Sequence, residues 1–89
     1  MPLYAVIAEK DNPELGAKIA SQFPTDYIEV TPAQWLLSAD MIPNQLGDQL
    51  GVRTGALGRV LILEVTGSGS GWHSTRIWQW LRLKSAKTT

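Results

Sequence analysis

Apolar residues recur along the chain at two spacings, and each spacing predicts a different type of element. The run LYAVIA, residues 3–8, is short and apolar on both faces, which is typical of a strand covered on two sides. Residues 11–23 place apolar side chains at every fourth position behind Pro13, and Pro24 follows them directly. Because proline fits the first turn of a helix and interrupts its interior, this segment predicts a helix that ends before Pro24.

A hairpin is predicted next, with Pro32 at the turn or bulge between its strands. The segment DYIEV alternates in character, and QWLLSA returns antiparallel to it. Since successive side chains of a strand point to opposite faces, Trp35 and Leu37 share one face and Leu36 takes the other. Whichever of these residues lies on a sheet face left free by helices would form an apolar patch, and such patches usually mark interfaces. We predict a homodimer interface at Trp35 and Leu37.

The second half of the chain predicts a short helix and then a strong strand. Residues 43–50 begin with proline, repeat leucine at four-residue spacing and stop at Gly51, as a short helix does. Residues 59–65, RVLILEV, form the strongest strand pattern in the chain. The glycine–serine stretch 66–71 predicts a flexible loop.

The C-terminal element, residues 72–84, fits either a helix or a strand by its apolar spacing. We favour the helix, because the preceding loop can return the segment across the sheet, and we expect a loose tail at residues 85–89. The order strand, helix, strand, strand, helix, strand predicts an α+β domain over residues 1–89. Its arrangement would be the ferredoxin-like split β-α-β-β-α-β fold with a four-stranded antiparallel sheet.

The composition is that of one small folded domain. The chain has 89 residues, of which 44% are hydrophobic and 18% charged, and this is too apolar for a disordered protein. A domain of this size has a thin core, so burial of further apolar surface by self-association would add stability. Cysteine is absent, which excludes disulfides and thiolate metal sites and fits a reducing compartment. The apolar runs are too short to cross a bilayer and the first eight residues lack an export leader, so we expect a cytoplasmic protein without a membrane partner.

The net charge of zero conceals two opposite halves. Residues 1–52 carry seven acidic and two basic side chains, whereas residues 53–89 carry six basic and one acidic. This asymmetry fits pairing of the halves within the fold or across a dimer, and it also fits an anionic partner such as RNA or DNA. Tryptophans among basic residues suit base stacking and phosphate pairing, although aromatic residues serve more often as core or interface. The predicted nucleic-acid contacts are Arg53, Arg76, Trp80, Arg82 and Lys84.

Several stretches resemble one family of small proteins. They are YAVIAEKDNPE, then TPAQWLLSAD with the proline-containing helix after it, and RVLILEVTG followed by tryptophans. Together they cover most of the chain from Leu3 to Leu83. They resemble the SinR-like proteins, relatives of the small endonuclease-like subunit of the CRISPR adaptation complex and of the ferredoxin-like RNase antitoxins. In the nuclease relatives, an aspartate that commonly follows a tyrosine closes the first strand and binds a divalent metal across the dimer axis.

The tyrosine–aspartate pair of those nucleases is replaced here by AVIAEKDN. Glu9 or Asp11 would have to stand in, and two copies of one acid could then hold Mg²⁺ or Mn²⁺ with water. A competing role for Asp11 and Asn12 is to cap the first helix, and we weigh that role ahead of metal binding. His73 is the only histidine, so no paired-histidine metal site forms within one chain. No small-molecule cofactor is indicated.

Two hypotheses of different class follow. The preferred one is a non-catalytic homodimeric module that binds nucleic acid or a protein partner through its basic C-terminal half. The alternative is a metal-dependent endonuclease or endoribonuclease that uses Glu9 or Asp11. Because the metal motif is altered and a shared fold does not transfer activity, we favour the binding module.

Overall fold

The computed structural model of the chain describes residues 2–65, 71 and 73–88, with side chains described as far as residue 84. Within that part of the chain, four strands and three helices follow one another in the predicted order. The strands are β1 (Leu3–Ala8), β2 (Tyr27–Thr31), β3 (Gln34–Ser38) and β4 (Val60–Val65). The helices are α1 (Pro13–Gln22), α2 (Pro43–Leu50) and α3 (Thr75–Thr88).

The four strands form a single antiparallel sheet in the order β2-β3-β1-β4. β1 pairs along its length with β3 on one side and with β4 on the other. A bulge between Glu29 and Thr31 interrupts the pairing of β2 with β3, close to Pro32. The architecture is α+β and is consistent with a ferredoxin-like fold.

Capping residues explain where α1 begins and α2 ends. Asn12 caps α1, because its Oδ1 accepts the Leu15 N–H at 3.1 Å while its Nδ2 donates to the Leu57 carbonyl at 2.7 Å. The sequence left Asp11 and Asn12 open as the capping residue, and the structure shows that it is Asn12. α2 ends at Gly51, whose φ of 73° lies in the left-handed region that glycine adopts without steric cost.

The core lies between the sheet and helices α1 and α2. We call this side of the sheet the helix-covered face and the opposite side the second face. Alternate residues of the strands point to the helix-covered face and are buried there with apolar residues of α1, α2 and the loops. The members of the cluster are Tyr4, Val6, Ala8, Leu15, Ile19, Phe23, Trp35, Leu37, Ala39, Leu46, Leu50 and Val52.

Burial of the hairpin tryptophan corrects the predicted dimer interface. Trp35 is 2% exposed and Leu37 is fully buried, and both lie on the helix-covered face within one chain. The Trp35 indole fits closely over α1, since a Cβ added at Gly16 would lie 3.3 Å from its ring. Neither side chain is therefore available to a second copy. The apolar residue of this strand that points to the second face is Leu36.

The C-terminal element is a helix, which is the alternative we favoured because the preceding loop can return the segment across the sheet. α3 begins at Thr75 and continues to Thr88, so residues 85–88, where we expected a loose tail, are helical. Of the predicted glycine–serine loop, only Gly71 lies within the described residues, and Trp72 lies outside them.

Candidate functional site

Helix α3 lies on the second face of the sheet, against the side formed by β2 and β3. Ile77 is 5% exposed and lines a groove with second-face residues of the sheet. The Arg76 guanidinium donates to the Glu29 carbonyl of β2 at 2.9 Å. The burial of Ile77 and this hydrogen bond hold the first turns of α3 over the edge strand β2.

The far end of α3 is held by Lys84, and this corrects its predicted role. Lys84 is 4% exposed, and its Nζ donates to Asp26 Oδ1 at 2.8 Å and to the Thr25 carbonyl at 3.4 Å. The ammonium also lies 5.9 Å from the centre of the Trp80 ring, within reach of a cation–π contact. A lysine that is buried and paired inside its own chain cannot contact a phosphate, so Lys84 is a structural residue.

The remaining predicted nucleic-acid residues do not form one patch. Arg53 follows α2 and pairs with Asp48 at 3.1 Å, whereas Arg76 and Arg82 are exposed on α3. Trp80 is half-buried beside Lys84. Binding of nucleic acid through these side chains stays a prediction. The arginines that would bind phosphate lie in two parts of the molecule, after α2 and on α3.

The two candidate metal ligands lie at the carboxyl end of β1. Glu9 and Asp11 are exposed, and Glu9 Oε2 lies 3.9 Å from Arg59 Nε. They line a small cavity of about 240 Å³ together with Lys10 and Arg59, so its charges are mixed in sign. Among the described residues, no three histidine, cysteine, aspartate or glutamate side chains come together in a way that could hold a metal ion.

A larger cavity of about 570 Å³ opens beside the same end of β1. Arg53 and Arg59 line it together with Gly55 and Gly58, whose φ values of 82° and 91° lie in the left-handed region that glycine adopts without steric cost. Both arginines face carboxylates of their own chain, Asp48 and Glu9 respectively. An anion in this cavity would compete with those carboxylates, so the geometry gives no strong anion site.

A groove of about 360 Å³ separates α3 from the middle of the sheet. Its walls are mostly apolar, and it runs between Ile7 and Leu36 of the sheet and Ile77 and Trp78 of α3. His73 stands at its rim and its Nδ1 accepts the N–H of Ser74, at 2.8 Å. The part of the second face that α3 covers ends at this groove.

Beyond that groove, the second face carries two exposed leucines on β4. Leu61 is 61% exposed and Leu63 is 50% exposed, and both pair with β1 residues of the same face, Ile7 and Ala5. We call Leu61 and Leu63 the leucine strip. Large apolar residues exposed side by side on a sheet are typical of interaction surfaces.

The leucine strip was not among the candidate site residues predicted from the sequence. The pattern VLILEV contained the signal, since alternation alone places Leu61 and Leu63 on one face. What the pattern could not supply was the position of α3, which covers the β2 side of that face and leaves the β4 side open.

Comparison of the sequence with models of known protein families found no match, and comparison with curated proteins found none either. Among the described residues, no helix has both the length and the apolar character needed to span a membrane.

Proposed function

We propose that this chain is a non-catalytic interaction module with a ferredoxin-like fold that works as a homodimer. The observation that carries the proposal is the leucine strip, where Leu61 and Leu63 expose more than half and half of their surface. A chain of 89 residues has a small core, so covering these side chains would add stabilising burial that the isolated chain lacks.

The site supports an apolar partner better than an anionic one. Lys84 is buried against Asp26, and Arg53 pairs with Asp48. A phosphate would have to displace Asp48 from Arg53, and it cannot reach Lys84. In the part of the chain that the structure describes, no ion pair or hydrogen bond involves the Leu61 or Leu63 side chain, so contacts of a second copy with them would break none.

The nuclease alternative has weaker support. Its two candidate acids are exposed, and Glu9 lies near the Arg59 guanidinium. The positive charge of Arg59 would repel a metal ion bound to Glu9. A divalent metal in a nuclease needs several oxygen ligands converging on one point. Glu9 and Asp11 would need a second copy to complete such a site.

Sedimentation equilibrium of three chains tests the homodimer. We expect the unmodified chain to form dimers at micromolar concentration and the double variant Leu61→Lys/Leu63→Lys to be monomeric, because lysine ammonium groups resist burial. The control is Ile42→Lys, which adds one lysine at a side chain that is 59% exposed outside the strip. Ile42→Lys should dimerise like the unmodified chain.

Circular dichroism of each variant shows whether the fold is kept, as expected for substitutions at exposed positions. A monomeric unmodified chain, or a double variant that dimerises as strongly as the unmodified chain, contradicts the proposal.

A further inference from the structure

The two edges of the sheet are protected to different degrees. β2, at one edge, carries a bulge and is covered by α3 through the bond from Arg76 to the Glu29 carbonyl. β4, at the other edge, pairs with β1 in an unbroken register from Val65 to Val60 and has no proline or lysine. Bulges, prolines, lysines and covering helices are the usual means of blocking an edge from pairing with another strand. Among the described residues, β4 has no bulge, proline or lysine; α2 packs near it on the helix-covered face, and Glu64 is its one charged residue.

Backbone hydrogen bonds define which groups of β4 face outward. The Ala8 N–H donates to the Ala33 carbonyl on the β3 side, and the Glu9 N–H donates to the Arg59 carbonyl on the β4 side at 3.0 Å. Backbone groups alternate in direction along a strand, so every second residue counted from Arg59 has its N–H and C=O groups directed toward β1. In β4 these residues include Leu61 and Leu63. Val60, Ile62 and Glu64 then direct their N–H and C=O groups to the open edge.

From this alternation we propose that β4 pairs with β4 of a second copy, antiparallel, around a twofold axis at Ile62. This inference rests on the proposed function, and it names how the two copies meet. In that register Ile62 lies opposite Ile62 of the second copy, and Val60 lies opposite Glu64. These are the three residues whose backbone groups point outward, so every outward donor in the strand meets an outward acceptor.

The same register also matches the side chains. Opposite residues of an antiparallel pair lie on the same face, so Leu61 of one copy meets Leu63 of the other. The leucine strips of the two copies therefore join into one apolar band on the second face. A twofold axis at Leu61 or Leu63 also keeps the faces in register but leaves outward groups at one end of the strand without partners.

The size of the interface sets the strength of the dimer. Six residues of edge strand and two leucines per copy make a small contact, and stable, standard-size interfaces begin at roughly 1,200 Å² of total buried surface. We therefore expect a dimer that dissociates on dilution through the micromolar range and not a permanent one. The combined sheet has eight strands with β2 at both outer edges, where the bulge and α3 limit further growth.

A backbone substitution tests the edge directly. Proline at position 64 removes only an outward N–H, and proline is tolerated on edge strands whose N–H faces solvent. Glu64→Ala removes the same carboxylate but keeps the N–H, so it is the matched control. By sedimentation equilibrium we expect Glu64→Ala to dimerise like the unmodified chain and Glu64→Pro to be monomeric.

Disulfide trapping gives a second measurement that does not depend on the proline variant folding. The chain has no cysteine, so each single-cysteine variant reports one position. Residue 62 would face its own copy at a Cα separation of about 5.5 Å, which suits a disulfide, whereas residue 65 would lie several residues from its own copy. Under mild oxidation, Ile62→Cys should form a covalent dimer and Val65→Cys should not.

The outcomes separate this inference from the proposed function. An unmodified chain that stays monomeric overturns both. A dimeric unmodified chain whose Ile62→Cys variant does not crosslink overturns pairing at β4 and leaves the homodimer intact. A folded Glu64→Pro variant that dimerises with the affinity of Glu64→Ala likewise overturns pairing at β4 and leaves the homodimer intact.

Discussion

The two faces of the sheet contain similar apolar residues but are covered in different ways. On the helix-covered face, α1 and α2 bury a continuous cluster around Trp35. On the second face, α3 buries Ile28 and Ile77 near β2 while Leu61 and Leu63 stay exposed on β4. The first face is completed by apolar packing within the chain. The second is held partly by polar contacts and is left incomplete at the edge where we propose that another copy binds.

Polar contacts fix α3 to the sheet. Its two ends are fixed to the β2 side by Arg76 at the Glu29 carbonyl and by Lys84 at Asp26. Such bonds define position well but contribute less stability than apolar packing of a whole helix face. The comparison therefore predicts large effects of substitution on the helix-covered face, intermediate effects at the α3 contacts and small effects on the leucine strip.

Substitution of the central tryptophan should have the largest effect. Trp35→Ala removes a side chain that is 2% exposed and leaves a cavity under Gly16 of α1. We expect the free energy of unfolding to fall by about 3–5 kcal/mol, as for other buried aromatic residues. Urea denaturation monitored by circular dichroism measures this change.

The matched control for that experiment is Leu61→Ala, in which the lost side chain is 61% exposed. Measured at a concentration where the chain is monomeric, it should change stability by about 0.5 kcal/mol or less. Equal losses for Trp35→Ala and Leu61→Ala would mean that the two faces do not differ as the structure indicates.

The contrast between the faces also shows what the sequence could and could not predict. The bounds of β1 and the start of α1 at Pro13 were predictable, because local apolar spacing and proline determine them. The face on which Trp35 lies was not, since alternation separates two faces without saying which one the helices cover. Lys84 was misassigned for a related reason: its burial depends on Asp26, which is distant in sequence and is brought close only by the fold.

An intermediate effect is expected at the buried ion pair of α3. Asp26→Asn removes the carboxylate that faces the nearly buried Lys84 ammonium, and the amide replaces it with a weaker partner. Since Asp26 is about a third exposed, we expect a loss of about 2 kcal/mol, typical of a hydrogen bond to a charged group. Hydrogen exchange should show the amides of α3 losing protection while those of β1 keep it.

The corresponding control is Asp48→Asn, which breaks the pair with Arg53. Both side chains of that pair are more than half exposed, so the loss should be below about 1 kcal/mol. If Asp26→Asn changes stability no more than Asp48→Asn and leaves α3 protected, then Lys84 does not hold the helix to the sheet.

A pH-dependent effect is expected on the helix-covered face. Tyr4 is 1% exposed and its hydroxyl donates to the Met41 carbonyl. Burial raises the pKa of Tyr4 above its ordinary value of 10.0, and the Glu64 carboxylate raises it further. Between these two pKa values the unfolded chain has lost the phenolic proton and the folded chain still holds it, so rising pH favours unfolding.

The contribution of Tyr4 is therefore complete below pH 10.0 and is lost as pH rises from there through the folded pKa, at up to about 1.4 kcal/mol per pH unit. Urea denaturation at a series of pH values above and below 10.0 measures this slope.

Tyr4→Phe lacks the titrating group and should flatten the slope, even though it also removes the bond to Met41. Tyr27→Phe, a change at a half-buried tyrosine, should keep the slope of the unmodified chain, because it leaves the Tyr4 hydroxyl in place. If the slope is the same in Tyr4→Phe and in the unmodified chain, the alkaline loss of stability comes from other groups and Tyr4 is not its source.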